Sequence, residues 1–147
     1  MDTDKVTNVI IAGLGGQGVL KASDVLAETV FQAGYDVKKS EVHGMSQRGG
    51  SVCSDVRFGR VVYSPMVPLA EADYLVVLAS DQIEPNRHML GPSGVLIHPG
   101  LIEAMRLVNR GIPHFSGLVD RGSHQVLAVQ TIVDVVDGAH VSCHRKY

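Results

Sequence analysis

The chain opens on a short apolar run, Val6-Thr7-Asn8-Val9-Ile10-Ile11-Ala12, rich in β-branched residues and closed by Gly13. Such a run, ending in glycine, is the pattern of a buried strand in a parallel sheet. From Val19 the period changes. Val19, Ala22, Leu26, Thr29, Val30 and Ala33 recur at three- and four-residue steps, which predicts a helix between Val19 and Ala33 with Gly34 placed to cap it. Tyr35 to Val42 reads as a second, more polar strand, and His43 to Ser51, with three glycines and no period, as a loop. Ser51 to Phe58 alternates, with Val52, Val56 and Phe58 on one face and Cys53, Asp55 and Arg57 on the other, the pattern of a half-exposed strand. Gly59-Arg60 then predicts a tight turn into Val61-Val62-Tyr63 and hence a hairpin. Tyr74 to Leu78 is another buried strand, followed by a short helix from about Asp81 to Leu90 with Pro85 near its first turn. A turn at Pro92-Ser93-Gly94 leads into a strand over Val95 to His98, and Leu101 to Val108 reads as a helix that Gly111 stops. Val126 to Val136 fits strand and helix spacing alike.

Strands alternating with helices predict an α/β fold: a Rossmann-like three-layer sandwich whose sheet is mostly parallel and carries one hairpin. The length of 147 residues, 45% of them hydrophobic, suits one domain, since a chain of this size buries about 68–70% of its extended surface in a single core. Charge narrows the function. With 13 Lys+Arg against 15 Asp+Glu there is no basic field for a phosphate backbone, so no nucleic-acid partner is expected. No apolar run reaches the roughly 20 residues that span a bilayer, and the start Met1-Asp2-Thr3-Asp4-Lys5 lacks a signal-peptide pattern, so a cytoplasmic protein with no membrane partner is expected. The two cysteines, Cys53 and Cys143, form no CxxC pair, fit reduced thiols, and fall short of the about four thiolates of an iron–sulfur cluster. His140, Cys143 and His144 are ligand-type side chains without a second pair at usual spacing, so no metal site is expected; His88, His98, His114 and His124 fall in no constellation.

Two segments concentrate candidate chemistry. Gly13-Leu14-Gly15-Gly16-Gln17-Gly18 matches GxGxxG between a strand and a helix, where glycines permit a tight turn and free N–H groups at the helix start attract an anion. A dinucleotide site also needs an acid about 20 residues further on. Glu41 could serve, whereas Lys38 and Lys39 lie nearer that spacing and would suit a phosphate. Three readings stay open: nucleotide or phosphate binding, close helix-to-strand packing, or a site shared with a partner. The second segment, Glu41 to Ser51, gathers an acid, an imidazole, two hydroxyls, an amide and a guanidinium among glycines. Arg48 before Gly49-Gly50-Ser51 can offer a planar pair of donors beside uncovered N–H groups, a match for carboxylate or phosphate. His43 could act as an acid or base near neutral pH. The bland alternatives are a solvated turn that satisfies its own backbone and, for His43, a structural hydrogen-bonder at a strand end.

GLGGQG over 13–18, SEVHGMSQRGGSV over 40–52, VRFG over 56–59 and VYSPMVPLAEADYLV over 62–76 together resemble the gamma-type subunit of 2-oxoacid:ferredoxin oxidoreductases, and within that family the indolepyruvate ferredoxin oxidoreductase beta subunit. The resemblance treats the chain as one gamma-type domain, is strongest over 6–100, and fades over 111–147, which reads as a divergent or truncated closing region. It implies a subunit of an enzyme that oxidatively decarboxylates a 2-oxoacid, such as an aryl pyruvate, to an acyl-CoA with electrons passing to ferredoxin. The thiamine diphosphate and the 4Fe-4S clusters would belong to a larger alpha subunit, coenzyme A would be a co-substrate, and this chain would bind no cofactor alone. Gln47, Arg48, Gly49, Gly50 and Ser51 would then lie where the chain meets the thiamine-bearing subunit or coenzyme A; with Gly13, Gly15, Gly16, Gln17 and Gly18 of the glycine turn they are the candidate cofactor-binding residues, and His43 and Arg48 are candidate catalytic groups. The rival expectation is a free-standing nucleotide-binding module built on Gly13 to Gly18 with Glu41 or Lys38.

Overall fold

In a computed structural model of the chain, which describes residues 5–44 and 49–100, the first apolar run forms strand β1 (Thr7–Leu14), buried throughout except at its two end residues. Helix α1 (Val19–Gln32) follows, and its buried residues Val19, Ala22, Ser23, Leu26 and Val30 keep the predicted helical spacing. Gly34 ends it in a left-handed conformation with φ of 92°. Its N–H donates to the Phe31 carbonyl at 2.9 Å and the Tyr35 N–H to the Val30 carbonyl at 3.2 Å, a paired closure that satisfies two orphan carbonyls of the last turn. The reversal sends Tyr35 into the core, where its ring meets Phe58 edge-on at 5.9 Å.

Strands β2 (Asp36–His43), β3 (Ser51–Gly59), β4 (Ala72–Val77) and β5 (Leu90–Ile97) complete one sheet in the order β2-β3-β1-β4-β5. β3 lies antiparallel to both β1 and β2, whereas β4 runs parallel to β1 and to β5. The sheet is therefore mixed, as a hairpin requires, but evenly so rather than mostly parallel. The hairpin also sits elsewhere than predicted: it joins β2 to β3. Val61 to Tyr63 form no strand, because both edges of β3 are already occupied by β1 and β2.

Alternation divides the core between the two faces. Val9, Ile11, Val56, Phe58, Val76 and Ile97 pack beneath α1, as the predicted faces of β3 require. Ile10, Leu75 and Val77 face the other way and are covered by Val67, Ile83 and Met89. Val67 belongs to the 60–71 connection, and Ile83 and Met89 to a broken helical stretch. That stretch replaces the single helix predicted over 81–90: a 3-10 turn over Ser80–Gln82, a short α2 (Ile83–Asn86) and a second 3-10 turn over Arg87–Met89. The turn expected at Pro92-Ser93-Gly94 is instead part of β5, where pairing jumps from Ala72↔Leu90 to Tyr74↔Val95. A β-bulge takes up the extra residues and tolerates Pro92, and Gly94 is required there because a Cβ would stand 2.5 Å from the Ala72 carbonyl oxygen. The helix predicted over 101–108 and the ambiguous stretch over 126–136 lie outside the described residues. Among the described helices none is long and apolar enough to cross a membrane.

Candidate functional site

Three chain segments converge where β1 and β4 end. In open α/β sheets the carboxyl ends of parallel strands are where sites form, since helices and loops diverge there and leave backbone groups accessible. The glycine turn after β1 is shaped first by packing. A Cβ on Gly13 would stand 2.9 Å from both Gln17 Oε1 and Val19 Cγ2, so only glycine lets the strand end approach the helix start. Gln17 Oε1 accepts the Leu14 N–H at 2.8 Å, and its own N–H donates to the Leu14 carbonyl at 3.1 Å, folding the turn onto itself. Gly16 and Gly18 take φ of 86° and 80°, which a residue with a side chain adopts only under strain.

The second glycine segment docks on the first. The Gly15 N–H donates to the Gly50 carbonyl at 2.8 Å, and the Gly44 N–H donates to the Ser51 carbonyl at 2.9 Å across the mouth of the β2–β3 connection. A Cβ on Gly15 would meet the Gly49 nitrogen at 3.4 Å, so the two glycine-rich stretches lie backbone against backbone. Ser51, first residue of β3 and register partner of Leu14, donates its hydroxyl to Gln82 Oε1 at 2.6 Å. Gln82 is buried beyond β4, and its carbonyl accepts the Asn86 Nδ2–H at 2.8 Å. Sequence reasoning passed over Gln82. The signal that could have found it was its place, a polar residue just after a buried parallel strand.

The predicted site residues thus separate into two groups. Gly13, Gly15, Gly16, Gln17, Gly18, Gly49, Gly50 and Ser51 come together at one end of the sheet, while Gln47 and Arg48 lie outside the described residues. His43, Glu41 and the lysines do not join them. His43 is exposed, with Nε2 3.6 Å from Glu41 Oε2. Glu41 pairs at 2.5 Å with Lys39, which also holds Asp24 of α1. Burial pulls the Lys39 ammonium toward neutrality, but its hydrogen bonds to Asp24 and Glu41 outweigh this and leave its pKa raised. Lys38 pairs with Asp36 at 3.1 Å. β3 stands between β1 and β2, so the end of β2 lies about 9–10 Å from that of β1, two strand spacings rather than the one that puts an acid beside a dinucleotide's ribose.

Cys53 is largely buried on the face away from α1, and burial, followed by the nearby Asp55 carboxylate, pushes its thiol up to about 11. A thiol so reluctant to ionise is a poor cluster ligand. With two cysteines in the whole chain, these residues do not fit an iron–sulfur cluster.

Residues 8–133 match the family described as pyruvate ferredoxin/flavodoxin oxidoreductase. The chain belongs to that family. Over 85 residues it is 48% identical to indolepyruvate oxidoreductase subunit IorB of Thermococcus kodakarensis, an alignment covering 58% of this chain and 41% of that protein. The IorB subunit of Methanothermobacter thermautotrophicus is 36% identical over 110 residues, covering 73% of this chain and 55% of the relative. The chain thus spans about half the length of the curated relatives it matches. Its fold resembles part of a solved 2-oxoglutarate:ferredoxin oxidoreductase from Magnetococcus marinus, determined with 2-oxoglutarate, coenzyme A and succinyl-CoA bound. That likeness has a TM-score of 0.57 at 21% identity and covers 65% of this chain and 16% of the other. The family match spans both glycine segments and, but for Thr7, all five strands, so the docked turn and loop belong to the shared region.

Proposed function

We propose that the chain is the gamma-type subunit of an indolepyruvate, or aryl 2-oxoacid, ferredoxin oxidoreductase and works only in complex with a larger alpha subunit that carries thiamine diphosphate and 4Fe-4S clusters. The complex decarboxylates the 2-oxoacid oxidatively to its acyl-CoA and passes the electrons to ferredoxin. The observation that carries this reading is the 48% identity to an IorB subunit over 85 residues, joined to a family match over 8–133 that includes the long glycine-rich segment. In this assignment the thiamine and the clusters supply the carbanion and electron chemistry when bound to the partner. The present chain's part is to present the 44–51 connection, with Arg48 as a bidentate donor suited to a carboxylate or phosphate, toward the shared active site or the path of coenzyme A.

Three features support a subunit over a free-standing nucleotide-binding module. The Gly15 N–H, one of the donors a pyrophosphate would need, is taken by Gly50, and Glu41 is engaged with Lys39. The 60–71 connection also turns Val61, Tyr63, Met66 and Leu69 outward, with Tyr63 93% exposed, an apolar surface of the kind that a partner covers.

Co-expression of the tagged chain with its alpha subunit, followed by assay of thiamine, iron and indolepyruvate-dependent ferredoxin reduction, tests the assignment. Capture of an active cofactor-bearing complex is expected, and Arg48→Ala in that complex should lower turnover by at least tenfold without releasing the subunit. A chain that stays alone and binds a nicotinamide or flavin nucleotide would overturn the assignment in favour of the module.

A further inference from the structure

We propose that Gln82 is a positioning residue: by accepting the Ser51 hydroxyl it sets where Ser51 and Gly50 lie over the glycine turn, and so fixes the base of the β2–β3 connection for catalysis in the complex. The proposal rests on the reading of that connection given under "Proposed function". Its grounds are geometric. The connection leaves β2 at Gly44 and returns at Ser51, and its described end contacts are few: Gly44 N–H to the Ser51 carbonyl, Gly15 N–H to the Gly50 carbonyl, and the Ser51 hydroxyl to Gln82 Oε1. The first closes the connection on itself and the second ties it to the turn after β1. The third ties it to the segment beyond β4, 31 residues further along the chain.

That segment is itself held in place. The Leu78 N–H donates to the Ala12 carbonyl at 2.8 Å, the Gln82 N–H to the Ala79 carbonyl at 3.0 Å, and Asn86 Nδ2 to the Gln82 carbonyl. Gln82 is therefore a fixed, buried acceptor facing the base of the connection, where the two residues before Ser51, Gly49 and Gly50, carry no side chain to anchor the backbone themselves. A buried acceptor of fixed position orients a hydroxyl as second-layer partners orient reactive groups, and a misplacement of about 1 Å is enough to lower turnover strongly.

The test is a mutant cycle in the assembled complex, with thiamine and iron content measured so that turnover is expressed per loaded enzyme. Ser51→Ala and Gln82→Leu should each lower kcat about tenfold, and the double variant should lose about the same tenfold, not about a hundredfold, because both remove one interaction. Gln82→Glu, which keeps an acceptor for the hydroxyl, should recover most of the turnover. Should Gln82→Leu fail to assemble, Ser51→Ala, a truncation by one oxygen atom, must still show the kcat loss and Ser51→Thr must reverse it. Unchanged kcat in either single variant, multiplied losses in the double, or a Gln82→Glu variant as poor as Gln82→Leu would overturn the proposal. Loss in Arg48→Ala with full turnover in Gln82→Leu removes the positioning role alone. Full turnover in Arg48→Ala with the cycle as expected removes the role of the connection's tip and keeps that of Gln82.

Discussion

The connections on either side of β3 are held by different chemistry. The one before it rests on backbone: Gly15 to Gly50, Gly44 to Ser51, and a neutral hydroxyl-to-amide bond from Ser51 to Gln82. The one after it, 60–71, rests on charge. Asp36 Oδ2 accepts the Val62 N–H at 2.8 Å, Asp55 Oδ2 accepts the Val67 N–H at 2.9 Å, and Arg57 Nη1 donates to the carbonyls of Ser64 and Met66 at 2.9 and 3.1 Å. Backbone docking of glycines demands space, whereas anchoring by ionisable side chains depends on their protonation state. The first connection should fail by steric intrusion and the second by loss of an ionisable anchor or a change in its protonation.

The largest effect is expected where the glycine turn has least room. Gly13→Val puts a branched side chain where even a Cβ would lie 2.9 Å from Gln17 Oε1 and Val19 Cγ2 and 3.2 Å from Leu78 Cβ, and should destabilise the chain by about 3 kcal/mol through overpacking. Gly16→Ala is the matched control. Nothing stands within 4 Å of its Cβ, so only the positive φ opposes it, at a cost of about 1–2 kcal/mol. Urea unfolding of the full chain measures both; equal losses would mean that conformation rather than packing dictates Gly13.

Arg57→Met addresses the other connection. Arg57 Nε also donates to Asn8 Oδ1 at 2.8 Å, and Asn8 Nδ2 reaches the Glu71 carbonyl, so one guanidinium ties β1, β3, the middle of the 60–71 segment and, through Asn8, its end at Glu71. Removing it leaves the part-buried Asn8 Oδ1 without its donor and frees the exposed Ser64 and Met66 carbonyls, and should cost about 2 kcal/mol, with faster proteolysis within 60–71. A stability loss without that local opening would show that Arg57 supports the sheet rather than the connection.

How far these regions could be read from residues alone follows the same division. Periodicity yielded β1, α1, the two faces of β3 and β4, because each is dictated by which side chains must be buried. It misjudged pairing, since nothing in Ser51 to Gly59 records that β3 would enter between β1 and β2 and leave Val61 to Tyr63 without an edge. The polar face of β3 was legible as polar, but Asp55 and Arg57 serve a covering segment rather than solvent, a tertiary fact without a local signature. At the candidate site the glycine spacing pointed to a turn, and only the tertiary fold brings Gly50 onto Gly15. The place of Gln82 just after a buried strand could be read, but its pairing with Ser51 could not, because the two lie 31 residues apart, a separation that no motif spans.

The smallest effect separates the two carboxylates that anchor the 60–71 segment. The Val62 N–H, then the Lys38 ammonium, hold the Asp36 carboxyl below its ordinary value of 3.8. Its contribution to stability is present above that value and is lost as pH falls through the lowered folded-state pKa. Asp55 is shifted the other way, raised by burial that the Val67 N–H and Arg57 only partly offset. Its contribution is fully present below 3.8 and is lost as pH rises through the raised folded-state pKa. Unfolding free energy measured against pH should therefore lose part of its acid-side fall in Asp36→Asn and part of its decline above pH 3.8 in Asp55→Asn, whose amide oxygen can still accept the Val67 N–H. Gln82→Leu, which removes a neutral bond, should shift the whole curve without changing its shape. If the two Asp variants gave curves parallel to the parent, the contrast between a charge-held and a backbone-held connection would not survive.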